Sequence, residues 1–426
     1  MVTPTNRAAD EIAERLVSDA YVGGHLSRYG VTESRELVRN HPEVLKNRQS
    51  MDLRKSDKNV MVTTIARYPY DSVQPYGEAI FDLKWDLIIV DEASMIDIVP
   101  ITLLLVNNKA DKFIIAGDPK QIRPVKPNFD YPDEYVFNIY DMVGLNSFKE
   151  AAKGCFKYPV MTLDVQHRSV PAIGNLVSKF SYYGILKNNL EKAKSKRLEI
   201  PELKIDPINV IGYEVIPMSH LYDFNMVDNS AVHVYSAIFA YEFAAYISNI
   251  VNAYNGKEKY TIGIVSPYKK QASAIQEMLA SLGIDTDKCN VVCGTVHKFQ
   301  GGECDIMIVV MNYPNTYSGD NANINNLNIM NVAMSRAKDY VFFLSPEKRV
   351  GEKAIYPMND ELFRQLPSGF NFHHAHSLEK IMFGDETFIA KNASLKSHLP
   401  VNVSTPSGKR YEVRISDTAL DIQIND

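Results

Sequence analysis

Cysteine and tryptophan are scarce: the 426 residues include four cysteines and one tryptophan. Four thiols (Cys155, Cys289, Cys293 and Cys304) are too few to staple a chain of this length. That argues against a disulfide framework and fits a reducing compartment. Apolar runs are short, and none approaches the roughly 20 residues that cross a bilayer. Residues 1–30 lack the basic, then apolar, then small-residue order of a leader peptide. No membrane partner is expected, and a cytoplasmic location is, with a nuclear one left open. An excess of one charge is missing too. Lys and Arg total 46 against 51 Asp and Glu, for a net charge of −5. A wholly basic nucleic-acid binder is thereby excluded, whereas a local basic groove on an acidic body is not. Internal repeats and low-complexity tracts are absent.

What is present is a series of short, unbroken apolar runs: Leu87–Val90, Phe113–Ala116, Ile262–Val265, Ile306–Met311 and Tyr340–Leu344, with Val60–Val62 and Val291–Val292 as weaker members. Unbroken apolarity marks strands buried on both faces, as in parallel sheets covered by helices. Amphipathic helices are predicted between them: Ala8–Val17, with Ala9, Ile12, Ala13 and Leu16 on one face; Ala237–Val251, with Phe239, Phe243, Ile247 and Ile250; and Lys270–Leu282. The fold class is α/β, and the length suits two or three domains. Boundaries are expected near 155 and 350, giving 1–155, 156–350 and a small β-rich extension at 351–426, where Thr405–Lys409 reads as a hairpin turn. The lysines between Asp164 and Val210 (Lys187, Lys192, Lys194, Lys196 and Lys204, with Arg197) read as a solvated face.

Several runs end in polar residues, and ligands of open α/β sheets gather beyond the carboxyl ends of strands. Leu87–Val90 delivers Asp91 and Glu92, a pair suited to holding Mg²⁺ through water (Asp91) and to activating a water (Glu92). The next run delivers Gly117, Asp118 and Gln121. Together these two strand ends resemble motifs II and III of superfamily 1 helicases, and the resemblance extends over most of the chain. Val2 to Asp10, with Thr3, Pro4, Thr5 and Asn6, is similar to motif Ia, and Thr63 and Thr64 resemble the phosphate-contacting segment after it. Leu163 to Ser169 looks like motif IV. The resemblance implies that its Arg168 reaches a γ-phosphate across a domain cleft. Ser266, Pro267 and Tyr268 resemble a nucleic-acid-contacting segment. Gly294 to Glu303 resembles motif V, which implies that Thr295 and His297 meet nucleic acid and that Gly302 and Glu303 lie near the nucleotide. Asn331 to Lys338 looks like motif VI, with Arg336 as a second γ-phosphate arginine. The Gln-His-Arg, Ser-Pro-Tyr and Phe-Gln-Gly triplets point to the branch of the nonsense-mediated-decay and DNA-replication helicases. That branch implies two RecA-like domains, ATP and Mg²⁺ as cofactors, and 5′-to-3′ movement on single-stranded DNA or RNA.

One family element is missing: no G-x-x-x-x-G-K-[ST] occurs in the sequence. The first RecA-like domain is therefore expected to be truncated at its N-terminus, the chain to be the C-terminal portion of a longer helicase, and apolar surface to lie open in the first sheet. The alternative is a non-catalytic nucleic-acid-binding or partner-regulating protein that retains the helicase fold. Lesser groupings are set aside. Cys289, Cys293, His297 and Cys304 are divided between a buried strand and motif V rather than forming a zinc site, and His373, His374 and His376 suggest adventitious metal at most. Trp85, Tyr182 and Tyr183 read as packing residues.

Without the phosphate loop's amides and lysine, the β- and γ-phosphates lose their main cradle. The 426-residue chain by itself is expected to hydrolyse ATP very weakly. Robust nucleic-acid-stimulated turnover that Glu92→Gln abolishes would contradict this.

Overall fold

The computed structural model describes residues 1–51, 57–73, 78–108, 110–125, 136–145, 159–190, 198–200, 202–253, 259–282, 288–313, 323–347, 357–368, 370–384, 401–405 and 408–425. The expected boundary at 155, Cys155, Lys192, Lys194, Lys196, Arg197 and the centre of the Thr405–Lys409 turn lie outside the described residues. The chain divides into two compact units, Met1–Val160 and Met161–Asp426.

The first unit is built on six parallel strands: β1 (Val2–Thr3), β2 (Leu26–Tyr29), β3 (Leu45–Lys46), β4 (Val60–Thr64), β5 (Leu87–Val90) and β6 (Lys112–Ile115), in the order β3-β2-β4-β1-β5-β6. Three of them coincide with the apolar runs. The first helix, α1 (Asn6–Val17), sets Ala9 and Ala13 against Leu26, Leu37 and Val62, with Ile12 and Leu16 partly buried beside them. This is the face its spacing predicts. At the β6 end of the order, Leu87 and Ile114 are exposed, so apolar surface is open there among the described residues.

Under the start of α1 lies a buried ion pair. Arg28 on β2 and Asp10 on α1 meet at 2.7 Å, with side chains 0% and 4% exposed. Every polar atom of the pair is used. Arg28 also donates to the carbonyls of Tyr29, Val31 and Asn6 and to the Asn6 amide oxygen, while Asp10 accepts from the Glu33 and Ser34 N–H groups. Full satisfaction of this kind makes a buried charge tolerable.

The second unit holds another six-stranded parallel sheet: β7 (Ile208–Tyr213), β8 (Tyr260–Ser266), β9 (Cys289–Thr295), β10 (Cys304–Val310), β11 (Ala337–Pro346) and β12 (Asn371–His374), ordered β9-β8-β10-β11-β7-β12. The long helix α5 (Val234–Ala253) and α6 (Lys269–Leu282) pack on the face that carries Ile262, Ile264, Ile306, Ile308 and Phe342. Helices α4 (Pro171–Ser181) and α7 (Leu327–Ser335) lie against the sheet on strands β10 and β11. The length and apolarity of α5 would suffice to cross a membrane, contrary to the expectation that no run reaches that length. Here 78% of its most apolar window is buried inside the unit. An antiparallel sheet, β13 (Val401–Ser404), β14 (Arg410–Ile415) and β15 (Leu420–Asn425), sends Tyr411, Val413 and Ile422 into the same core.

Removing one partner of a buried ion pair strands the other charge in a low dielectric. Asp10→Ala is expected to lower stability by about 3–5 kcal/mol, read from urea unfolding of the purified chain. A loss under about 1 kcal/mol, typical of a surface pair, would contradict the structural role given to this pair.

Candidate functional site

In the first unit the polar residues gather at the carboxyl rim of the sheet. Asp91, leaving β5, donates its N–H to the Val2 carbonyl of β1 at 2.9 Å, so the two strand ends are level. Glu92 follows in the left-handed region (φ 52°, ψ 40°), and its N–H returns to Asp91 Oδ1 at 2.9 Å. That geometry turns the chain sharply and leaves both carboxylates half-buried at the rim. Gly117, leaving β6, has φ +154°. A Cβ there would lie 2.8 Å from both Ala93 N and the Tyr140 hydroxyl, so only glycine allows the two rim segments to touch. Asp118 accepts from Lys120 N–H at 2.8 Å and from the Gln121 side-chain amide at 3.4 Å, which holds Gln121 beside the carboxylates.

Tyr140 belongs to this rim and escaped the sequence reading. It sits on α3 (Ile139–Val143), which is capped by Asn138 and tied down twice. Asn138 donates to the buried Ser94 carbonyl at 3.0 Å, and Arg123 grips Asp141 through two bonds of 3.0 and 2.7 Å. Burial, and then the negative charges of Asp118, Asp91 and Glu92, push the Tyr140 phenol well above its ordinary value. It therefore remains protonated in the field of three carboxylates. Its one sequence signal is the Asn-x-x-Asp capping box around it. The Ser94 hydroxyl, buried beneath, has no hydrogen-bond partner among the described residues. The donor set of Asp91, Glu92 and Asp118 is all hard oxygen, which fits Mg²⁺.

In the second unit, segments that are remote in sequence are stapled together. The Gln166 side chain shapes the turn that presents Arg168. It accepts from the N–H groups of Arg168 (2.9 Å) and Ser169 (2.8 Å), and donates to the Ser169 carbonyl and to Asn188. Arg168 donates to Glu303 at 3.3 Å and to the Ser335 carbonyl at 3.0 Å, and Lys338 grips the other Glu303 oxygen at 2.6 Å. Ser169 adds a 2.6 Å bond to the Ala337 carbonyl. Partial burial alone would raise the Glu303 carboxyl, but the Lys338 bond and the charges of Lys338 and Arg168 outweigh it and hold the group below its usual range. Lys338 is likewise desolvated, yet Glu303 holds its ammonium above the usual range.

Two expectations need correction here. The chemistry of this unit is not confined to carboxyl rims, because Glu303 precedes β10 and Lys338 opens β11, at the amino ends of those strands. Moreover, Arg336 is only 2% exposed and donates Nε to the Val332 carbonyl at 3.3 Å. As the C-cap of α7 it is tucked under the helix end, and the half-exposed cation of this segment is Lys338.

The residues expected to meet nucleic acid divide in two. Thr3, Thr63, Thr64, Ser266, Pro267 and Tyr268 are buried. Thr3 donates to the Thr5 carbonyl, and Ser266 accepts from the Tyr268 N–H while donating to Asn312, so these hydroxyls shape turns. Surface remains at Pro4, Thr5 and Asn6, where the Thr5 hydroxyl caps α1 by accepting from Ala8 N–H. It also remains at Thr295 and His297 beyond β9. Gly302 is buried in the return from there, its N–H on the Phe299 carbonyl. That return, 296–303, runs from the carboxyl end of β9 to the amino end of β10. It crosses the sheet with Phe299 against Gly263, where a Cβ would come within 3.0 Å of the ring.

Glu303 contributes stability that is complete above the ordinary glutamate range and is lost as pH falls through its lowered value. The melting temperature of the chain is expected to exceed that of Glu303→Gln at neutral pH, with the gap closing below about pH 4. A gap independent of pH would contradict the ion cluster.

Comparison with known proteins follows the same division. Two models, each described as an AAA domain, match residues 1–127 and 145–348. The mouse (Mus musculus) 5'-3' DNA helicase ZGRF1 is 29% identical over 54% of this chain and 11% of its own length. The Schizosaccharomyces pombe DNA replication ATP-dependent helicase/nuclease dna2 is 26% identical over 60% of this chain and 18% of its own. Helicase SEN1 of Saccharomyces cerevisiae is 24% identical over 75% of this chain and 13% of its own. The chain thus spans under a fifth of the length of these relatives. A solved arterivirus nonstructural protein 10 helicase bound to DNA is matched at 12% identity over 85% of this chain and 56% of that one, with a TM-score of 0.38, too low to bear on the account. With both AAA-domain matches, these relatives and the motifs at the two rims in agreement, the chain belongs to the superfamily 1 helicases, on the branch of the DNA-replication helicase/nucleases and SEN1.

Proposed function

We propose that the chain carries the hydrolytic and strand-gripping parts of an ATP-dependent helicase or translocase, coupling ATP hydrolysis to movement on single-stranded DNA or RNA. The observation that carries this reading is the ion cluster of Arg168, Glu303 and Lys338, which joins the three segments resembling motifs IV, V and VI. A purely structural domain has no evident need to gather two half-exposed cations from distant segments on one carboxylate.

In this reading Asp91 holds Mg²⁺ through water, and the bound ion neutralises charge on the nucleotide phosphates. Glu92, fixed by its left-handed turn, orients the attacking water and takes its proton. The Tyr140 phenol, kept protonated, adds no charge to the field of these carboxylates. Gln121, held by Asp118, offers a neutral hydrogen bond to the water or to a phosphate oxygen. Arg168 exchanges Glu303 for a γ-phosphate oxygen, which an always-charged planar guanidinium suits. The exposed N-terminus of α1 around Pro4, Thr5 and Asn6, together with Thr295 and His297, contacts backbone phosphates, as capped helix starts do. Movement in the 5′-to-3′ direction, a location in the cytoplasm or nucleus, and the use of a single strand rather than a duplex belong to the same proposal.

Phosphate contacts release counterions, so affinity for labelled oligo-dT or oligo-rU should fall linearly on a log–log plot against salt, with a slope near −0.7 per contact. Fluorescence anisotropy checks this, and Thr295→Ala combined with His297→Ala, which removes neutral contacts, should weaken binding at every salt concentration with little change in slope, while Glu92→Gln leaves the affinity unchanged. Absent binding, or affinity indifferent to salt, would overturn the proposal.

A further inference from the structure

The carboxyl rim of the second sheet holds a second polar grouping, at its β12 end. Strands β11 and β12 flank β7, and Gly212 of β7 is in register with Ser345 on one side and His374 on the other. Next-nearest strands lie about 9–10 Å apart, so side chains at their ends meet only by leaning over the strand between. Gly212 permits that. A Cβ there would stand 2.7 Å from Glu347 Cγ and 2.6 Å from Phe372 Cζ. The Glu347 side chain, its backbone N–H fixed at 2.8 Å on the Tyr213 carbonyl, crosses this gap and meets His374 Nδ1 at 2.7 Å.

A third group joins them. His374 is the N-cap of α8 (Ala375–Phe383), and His376 follows in its first turn, the two rings 5.2 Å apart and inclined by 32°. The Phe372 ring stands edge-on to His374 at 5.1 Å. One ligand atom from each of Glu347, His374 and His376 lies within 4.8 Å of the others. Zinc bound by imidazole nitrogen and carboxylate oxygen at about 2.0–2.2 Å needs these atoms some 3–3.5 Å apart. Side-chain rotation at the half-exposed His374 and at Glu347 covers that difference without moving a strand. The histidines by themselves suggested only adventitious binding. The glutamate, 27 positions from His374 in sequence, completes the set.

We propose that Glu347, His374 and His376 form a binding site for a borderline divalent transition ion such as Zn²⁺, with its fourth position open to water. The ion replaces the hydrogen bond between Glu347 and His374 and fastens the start of α8 and the end of β12 to the end of β11. Within the second unit the site stands apart from Thr295 and His297, because β9 and β12 occupy opposite ends of the sheet order.

The test is a titration of the full 426-residue chain, free of any histidine tag, with Zn²⁺ by calorimetry and with Co²⁺ by visible absorption. One equivalent should bind. His374→Ala and His376→Ala should each weaken Zn²⁺ binding by about tenfold or more and abolish the Co²⁺ band. On the unaltered chain, Zn²⁺ should slow hydrogen exchange across 371–378. Absence of binding, binding that both variants retain at full strength, or unchanged exchange in that segment would overturn the proposal.

Discussion

Parallel pairing decides where this chain can place its chemistry. Every strand of a parallel sheet needs a return to the end from which the next one starts, and helices usually make it. Between β9 and β10 the return is instead the short segment 296–303, laid across the sheet with Phe299 seated against Gly263. Its first residues adjoin Thr295 and His297 at one rim, and its last, Glu303, lies at the other with Arg168 and Lys338. Among the described residues a single short 3-10 turn, Val296–Phe299, is all the helix that stands between the two. A displacement at one rim has a direct path to the other, and that is the mechanical requirement of a motor that links a grip on a strand to the state of a nucleotide.

Glu303 gives that path its electrical end. Its carboxylate is divided between two cations, one of them the guanidinium that would otherwise face a phosphate. The two interactions compete, so the position of 296–303 and the availability of Arg168 are linked by charge as well as by chain. The first unit follows a different plan. There the carboxyl rim is rigid, with Glu92 held in a left-handed turn, Gly117 pressed on the Ala93 backbone and Tyr140 fixed by a doubly anchored short helix. In the proposed function the groups of the first rim are preorganised and Arg168 is poised to exchange partners.

The strands with unbroken apolar runs were legible in the sequence because burial on both faces leaves them no alternative composition. Ile262–Val265, Ile306–Met311 and Tyr340–Leu344 fall on β8, β10 and β11 in this way, and Leu87–Val90 coincides with β5 residue for residue although Leu87 itself lies exposed. Strands such as Asn371–His374, half-exposed at an edge, lack that signature and went unread. Among site residues, Asp91, Glu92 and Gly117 stand where strand-end logic puts them. Arg336 does not, because one residue at a helix C-cap decides whether a guanidinium turns inward, and spacing alone does not carry that information. The hydroxyls of Thr3 and Ser266 are turned inward for a related reason, Thr3 bonding the Thr5 carbonyl and Ser266 the Tyr268 N–H. A short polar side chain at a strand end satisfies a neighbouring backbone group as readily as a phosphate. Tyr140 and Glu347 were invisible because their partners are distant in sequence.

Hydrogen exchange along 296–303 tests the central claim most directly. Adding a single-stranded oligonucleotide should slow exchange at both ends of the segment, at His297 and Lys298 and again at Gly302 and Glu303, although the strand touches only the first. Protection confined to the Thr295–Lys298 end, with 301–303 unchanged, would contradict a return that carries movement from rim to rim.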